Sequence, residues 1–288
     1  MEGTRPLPAK RVLLCAGAFL LVMMVVGSLW DYPISQALYN QSNVLGLFFA
    51  AFGEYPAALG FAAAGAMLIS ARNREKRLRG VLQVIAGCVL LLFGASMAAV
   101  LPTGYLDISL GLSAVIGVAC TALVVWGILR LCRNADRGTV LRVAAVFMLV
   151  VFADILVVNL TKIPWGRPRM RLVAVDERAC FLPWWQPGTE LRDALVAAGV
   201  AAEEFKSFPS GHTANASALM LLCLLPKLSV KLEGKQTALF LVGFLWAAVV
   251  ALSRIIMGAH YLTDTMAGFA VGLICLVAVC ACFPKLKK

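Results

Sequence analysis

The chain has 288 residues, 61% hydrophobic and 14% charged, a balance that leaves too little polar surface to cover a soluble globule. Its formal charge of +11 would suit a nucleic-acid partner, but the basic residues cluster by connection between apolar runs, and that placement makes nucleic acid unnecessary. The runs are continuous and about 20 residues long, enough to carry a helix across about 30 Å of hydrocarbon, so the short alternating segments of a β-barrel are excluded as well.

Eight spans are predicted: 11–30, 46–70, 81–101, 110–131, 143–161, 211–226, 237–255 and 262–282. The fold class is therefore all-α, a polytopic transmembrane helix bundle forming one domain over 1–288, with no repeat and no soluble module. The first run, Val12 to Trp30, follows basic residues as a signal peptide would. It is longer than a usual signal core and lacks a small-x-small cleavage site, so it is expected to be an anchor. The second span contains Glu54 and Pro56 and is the one expected to open as an interfacial turn. In the fifth, Asp154 is an intramembrane acid to which the sequence assigns no role.

Loop charge sets the orientation. Basic residues gather before the first span (Arg5, Lys10, Arg11), from Arg72 to Arg79, from Arg130 to Arg142, from Lys227 to Lys235, and at Lys285, Lys287 and Lys288. These are alternate connections, as the positive-inside tendency requires of cytoplasmic loops. Both termini are then cytoplasmic, and the chain is expected in a cell membrane, with compactness and the lack of sorting motifs pointing to a bacterial one. Most of the nine cysteines, Cys88, Cys120, Cys223, Cys275 and Cys280 among them, lie inside apolar runs and read as small hydrophobes. Only Cys180 is clearly in an outer loop, so no intrachain bridge is expected there.

The connection 162–210 falls on the outer side and yet carries Lys162, Arg167, Arg169, Arg171, Arg178, Arg192 and Lys206. Arg178 and Arg192 read as solvated partners of loop acids such as Asp176 and Asp193. Lys162 and Arg169, with Arg254 further on, sit hard against predicted spans and read as an anion site. The loop's Phe181, Pro183, Trp184 and Trp185, with Trp165, fit an interfacial belt or a lipid entrance.

Three clusters fall on this outer face. Lys162-Ile-Pro-Trp-Gly-Arg167-Pro168-Arg169 ends the fifth span and offers charge-assisted, partly bidentate donors for a phosphate. Phe208-Pro209-Ser210-Gly211-His212-Thr213 opens the sixth as a helix start, where the N–H groups of Ser210, Gly211 and His212 can face one anion. Ser253-Arg254-Ile-Ile-Met-Gly-Ala-His260-Tyr-Leu-Thr-Asp264 joins the last two spans. Histidine and aspartate four apart on a helix share a face, so Asp264 can hold one imidazole nitrogen of His260 and leave the other free.

These residues resemble the type 2 phosphatidic acid phosphatase (PAP2) superfamily of membrane lipid phosphatases, whose motifs are Lys-x6-Arg-Pro, Pro-Ser-Gly-His and Ser-Arg-x5-His-x3-Asp. The second and third motifs are intact here. In the first, Arg169 has the right spacing from Lys162 but is followed by Met170, while Arg167-Pro168 comes two residues early. The motif-bearing part is 143–282. The family core has six spans, so one hairpin, within 81–131, is additional.

The resemblance implies hydrolysis of a lipid phosphomonoester or diphosphate. Polyprenyl diphosphate, phosphatidylglycerophosphate, phosphatidate and a lipid A phosphate all fit, and the remaining partner is the bilayer itself. His260 would attack phosphorus with Asp264 fixing its tautomer, and His212 would serve as acid and then base. Lys162, Arg169, Arg254, Ser210 and Gly211, with Arg167 as a helper, would bind phosphate. No cofactor is implied. The residues alone agree on metal: two histidines without a dense carboxylate cluster supply too few ligands for a two-metal site. Two alternatives are a lipid phosphotransferase sharing the phosphohistidine step and a non-catalytic lipid transporter. A transporter would place its polar groups near mid-membrane rather than at one face.

Overall fold

The computed structural model describes residues 6–283 and 286, and within them every regular element is helical. The helices are α1 (Lys10–Leu38), α2 (Val44–Phe52), α3 (Tyr55–Ser70), α4 (Arg77–Val100), α5 (Leu110–Cys132), α6 (Arg137–Trp165), α7 (Met170–Val173), α8 (Thr189–Ala197), α9 (Gly211–Ser217), α10 (Gln236–Ile256) and α11 (Leu262–Ala281). Seven helical stretches, with α2 and α3 taken together, are long and apolar enough to cross a membrane. This is a polytopic helix bundle, as expected. Of the basic residues expected at the tails, Arg5, Lys285, Lys287 and Lys288 lie outside the described residues.

The sixth expected span, 211–226, is built differently from the rest. Seven α-helical residues of α9 pass into a ten-residue 3₁₀ helix, Ala218–Lys227. At about 1.5 Å and about 2.0 Å per residue these rise together roughly 30 Å, so the stretched 3₁₀ part lets a short segment match the hydrocarbon thickness.

Two proline-linked departures shape the site. α1 runs eight residues past its predicted end, through a kink at Trp30 (φ −133°, ψ 19°) and past Pro33, which places Asp31 inside the bundle. The second span is broken between Phe52 and Tyr55. Pro56, in the first turn of α3, has no N–H to continue the ladder from α2, and Glu54 sits at the break.

α3 forms the centre of the bundle: Ala57, Ala58, Ala62, Ala63, Ala64 and Ala66 are all buried. In lipid, helices associate through close van der Waals packing, and small side chains permit it. Against α3 lies the α4–α5 hairpin, whose outer faces carry exposed Leu82, Val89, Leu92, Val115, Val118 and Leu123. Leucine and valine there suit contact with acyl chains.

The connections sort to two ends. At one, the Arg137 Nε donates to the Ala71 carbonyl at 2.9 Å, and residues 130–139 face residues 226–233 across a cavity of about 880 Å³. At the other, the Asn40 N–H donates to the Ile256 carbonyl at 2.7 Å, and the turn after α4 meets the start of α9. All three sequence clusters are at this second end.

Candidate active site

α6 ends at Gly166 in the left-handed conformation (φ 64°, ψ 24°), which glycine adopts without the Cβ penalty. The reversal separates two cations that the sequence treats together. Lys162 stays on the last turn of α6 facing the cavity, Arg167 turns into the protein, and Arg169 caps α7 with its N–H donating to the Glu204 carbonyl at 2.8 Å.

Ser210 is the N-cap of α9. Its Oγ accepts from the Thr213 N–H at 3.4 Å and the Thr213 hydroxyl at 3.0 Å. The Ser210 N–H is itself donated to the Asp264 carbonyl at 2.9 Å, so of the three N–H groups expected to face an anion, that of Ser210 is already engaged. The reason is close packing by α11: a Cβ on Gly268 would lie 2.1 Å from the Ser210 carbonyl oxygen, and only glycine lets the helix press this turn into place. Gly211 lies beside Lys162, whose Nζ would be 3.5 Å from a Cβ added there.

The expected direct hydrogen bond between His260 and Asp264 is not made. α11 begins at Leu262 with Tyr261 as its N-cap, so His260 precedes the helix and the shared-face relation between positions four apart does not hold. The His260 Nδ1 is 3.9 Å from Asp264 Oδ2 but 2.6 Å from the Ser207 carbonyl oxygen. A carbonyl only accepts, so Nδ1 carries the proton and Nε2 keeps its lone pair. Asp264 accepts instead from the Tyr261 N–H at 2.8 Å, from the Ser207 hydroxyl at 2.5 Å and from Arg167. It steadies His260 one residue removed, through Ser207. Burial, reinforced by Lys162, Arg169 and Arg254, holds the His260 pKa well below the ordinary imidazole value.

Arg167 does not reach the cavity. It is fully buried; Nε donates to the Leu182 carbonyl at 2.8 Å, Nη1 to Thr263 Oγ1 at 2.9 Å and to Asp264, and Nη2 to Asp31 at 2.8 Å. Its guanidinium lies 4.3 Å from the Tyr261 ring centre and 5.3 Å from that of Phe181. With its donors so engaged, Arg167 cross-links α1, the 167–182 loop and α11, which corrects its expected role as a phosphate helper.

Lys162, Arg169, His212 and His260 line one cavity of about 420 Å³ together with Glu54 and Tyr105. Arg254 is buried behind Tyr105, with Nη2 3.5 Å from the hydroxyl and the guanidinium 5.1 Å from the ring centre. The Nε and Nη1 of Arg254 and the Nε of Arg169 are buried without a hydrogen-bond partner among the described residues. Buried donors on a cation are costly unless an anion meets them. Two histidines, Lys162 and Arg169 line the cavity, and Arg254 stands behind Tyr105 with unspent donors, an arrangement whose charge suits an anion.

The family model of the PAP2 superfamily matches residues 140–288. The chain belongs to the PAP2 superfamily. The match begins inside α6, so the PAP2 region holds all three clusters and leaves α1 to α5 outside. Phosphatidylglycerophosphatase B of Bacillus subtilis (strain 168) is 31% identical over 84 residues, which is 28% of this chain and 41% of that protein, less than half the length of the relative. No solved structure matches the chain.

Sequence reasoning missed Asp31, Tyr105, Ser207 and Asn215, and took Glu54 only as the mark of a turn. Three of these five, Asp31, Glu54 and Tyr105, precede the PAP2 match. The one signal available was the rarity of acids in apolar runs, which fits Asp31 and Glu54. The loop pairs fall as read: Arg178 with Asp176 at 2.8 Å and Arg192 with Asp193 at 2.8 Å. Arg171 makes a two-point pair with Glu204 at 2.9 and 2.6 Å. Of the loop aromatics, Trp165 donates to the Trp184 carbonyl at 2.6 Å and Trp184 to the Ser28 hydroxyl at 2.8 Å, with Phe208 packed against both rings. They fasten the loop to α1. Trp185 is exposed. Asp154 is buried in α6, its Oδ1 without a hydrogen-bond partner among the described residues.

Proposed function

We propose that the chain is a lipid phosphate phosphatase that works through a phosphohistidine on His260, without a metal, at the extracytoplasmic face of a bacterial cell membrane. The observation that carries this reading is the state of His260: its Nδ1 proton is tied to the Ser207 carbonyl, so Nε2 enters the cavity side of a cationic site as an unprotonated nucleophile. Nε2 attacks phosphorus, the bond to the ester oxygen breaks, and that oxygen takes a proton from His212. Neutral His212 then accepts a proton from water as the water attacks phosphorus, and the P–N bond electrons return to Nε2. Lys162, Arg169 and Arg254 offset the charge spread over the equatorial phosphoryl oxygens.

A lipid substrate is supported by an apolar cavity of about 310 Å³ at the level of the helices. Three elements supply residues to both cavities: the α2–α3 break (Glu54 to one, Phe52 and Tyr55 to the other), α6 (Ile155 and Phe147) and the α9–3₁₀ segment (Asn215 and Leu219). A headgroup in the polar cavity thus has apolar space beside it for a chain. The named relative makes phosphatidylglycerophosphate the first substrate to try, followed by phosphatidate, polyprenyl diphosphate and lipid A phosphates.

The test is phosphate release by purified protein from that panel, with and without EDTA, alongside His260→Ala. Release that survives EDTA and is abolished in the variant, with an acid-labile phosphoprotein in the parent, is expected. Full activity of His260→Ala would remove the reading. Phosphorylated lipid in place of free phosphate would make the chain a phosphotransferase.

A further inference from the structure

The mechanism just proposed leaves His212 to gain a proton in poor company. Lys162, Arg169 and Arg254, from α6, the segment before α7, and α10, all raise positive potential around it, and each disfavours an imidazolium. The cavity's two carboxylates are Glu203 and Glu54. Glu203 is already occupied, by Lys206 at 2.8 Å and Arg169 at 3.5 Å. Glu54 makes no ion pair with a lysine or arginine within 4 Å among the described residues; its Oε1 is 3.5 Å from His212 Nδ1, steadied there by Asn215, whose Nδ2 donates to the same oxygen at 2.9 Å.

The other ring nitrogen is also held. The Tyr105 hydroxyl is 2.9 Å from His212 Nε2, and the two rings meet edge to face at 85°. Arg254 Nη2, a donor only, approaches the same hydroxyl at 3.5 Å, so the phenol oxygen accepts from Arg254 and its own proton stays free for Nε2. Nδ1 then carries the ring proton, which the Ala50 carbonyl accepts, with Glu54 Oε1 beside it at 3.5 Å.

We propose that Glu54 and Tyr105 are positioning residues for His212, Glu54 as the carboxylate beside its Nδ1–H and Tyr105 as the hydroxyl that holds its Nε2 at the cavity edge until the substrate oxygen takes that place. The inference rests on the phosphatase reading above and adds a division of labour between the histidines. His260 faces a neutral carbonyl and stays unprotonated, as a nucleophile must. His212 has a carboxylate beside its own carbonyl acceptor, and Glu54 stabilises the imidazolium needed when the ester oxygen leaves. The break between α2 and α3 delivers Glu54, and the α4–α5 hairpin delivers Tyr105, so segments outside the PAP2 match complete the acid.

The test uses leaving groups that differ in their need for a proton. Full-length protein, Glu54→Gln and Tyr105→Phe are assayed in detergent with dioctanoyl phosphatidate, which expels an alkoxide, and with p-nitrophenyl phosphate, which expels a stable phenolate. On the alkyl substrate Glu54→Gln is expected to lose about 100-fold in kcat, with the alkaline limb of kcat/KM moved down by about one pH unit as the imidazolium loses its partner. On the aryl substrate its loss is at least tenfold smaller. Tyr105→Phe is expected to lose about tenfold, with the same preference for the aryl substrate. Equal losses on both substrates with an unmoved alkaline limb would overturn the proposal, as would no loss. Should Glu54→Gln fail to elute as a folded species, Glu54→Asp replaces it, with a smaller loss of the same pattern expected and an equal loss on both substrates counting against. His260→Ala separates the two levels: its activity on either substrate would sink the phosphatase reading itself.

Discussion

Arg167→Met separates a structural arginine from a phosphate ligand. The guanidinium, Asp31 and Asp264 are at most 3% exposed, and methionine fills similar apolar volume while removing the charge. Two buried carboxylates then lose their common cation, though Asp31 keeps the Thr263 N–H at 2.9 Å and Asp264 keeps Ser207 and the Tyr261 N–H. Removing one partner of a buried ion pair costs about 3–5 kcal/mol. At about 2–4 °C per kcal/mol for a chain of this size, the melting midpoint should fall by roughly 10 °C. Asp31→Leu added to Arg167→Met removes one of the stranded charges and should recover part of that fall. The assay is the folded fraction surviving graded heating in detergent, read by size exclusion, with kinetics on a lipid phosphate well below each variant's midpoint. KM should stay within about twofold, since Arg167 touches no part of the cavity. A midpoint within 2 °C of the parent together with a KM raised tenfold or more would show that Arg167 binds phosphate after all.

Arg254→Ala removes two donors that have no partner among the described residues from behind Tyr105 and should lower kcat by about 10²–10³, measured as phosphate release with folding checked by size exclusion. Gly268→Ala sets a methyl group 2.1 Å from the Ser210 carbonyl; displacing that turn should cost about 1–3 kcal/mol, seen as a lowered melting midpoint with activity reduced in parallel. The depressed pKa of His260 sets a pH dependence of stability. Above about pH 6.5 the imidazole is neutral whether folded or unfolded and contributes nothing; as pH falls below that value the unfolded chain takes up a proton that the folded chain refuses, so stability drops. Midpoints measured from pH 7.5 to 5 should show this fall, with a shallower one in His260→Gln.

Helix number and placement were readable because the run of apolar residues that crosses hydrocarbon is a one-dimensional signal, and most predicted ends fall within a few residues of the observed ones. Where they differ, a local event overrides the run. α1 continues past Pro33 because its extra turn finds Arg167 and Thr263 as partners for Asp31. Span 211–226 was legible in position but not in its 3₁₀ winding, which has no composition of its own. The motif residues Lys162, Arg169, His212 and His260 line one cavity. Arg167 was misassigned because sequence spacing says nothing about the left-handed turn at Gly166, after which Arg167 enters the protein interior while Lys162 stays on α6 at the cavity. Glu54, Tyr105 and Asn215 were invisible as a group, since contacts 107 and 161 residues apart in the chain leave no periodic trace.

The pairing of His260 with Asp264 was the most reasonable inference from spacing, and its failure is instructive about how the site stays rigid. An aspartate three residues past an N-cap is drawn back to the cap's N–H group, because that donor is orphaned at the helix start and the carboxylate also favours the positive end of the dipole. Once committed there, Asp264 has its second oxygen left for Arg167, and the histidine before the cap must find another acceptor. Ser207 supplies both needs, its hydroxyl to the carboxylate and its carbonyl to the imidazole. The nucleophile is therefore held by a neutral dipole rather than a full charge, which fixes its tautomer without raising its basicity. A carboxylate in direct contact would favour the protonated ring, and among Lys162, Arg169 and Arg254 an unprotonated Nε2 is what the proposed attack requires.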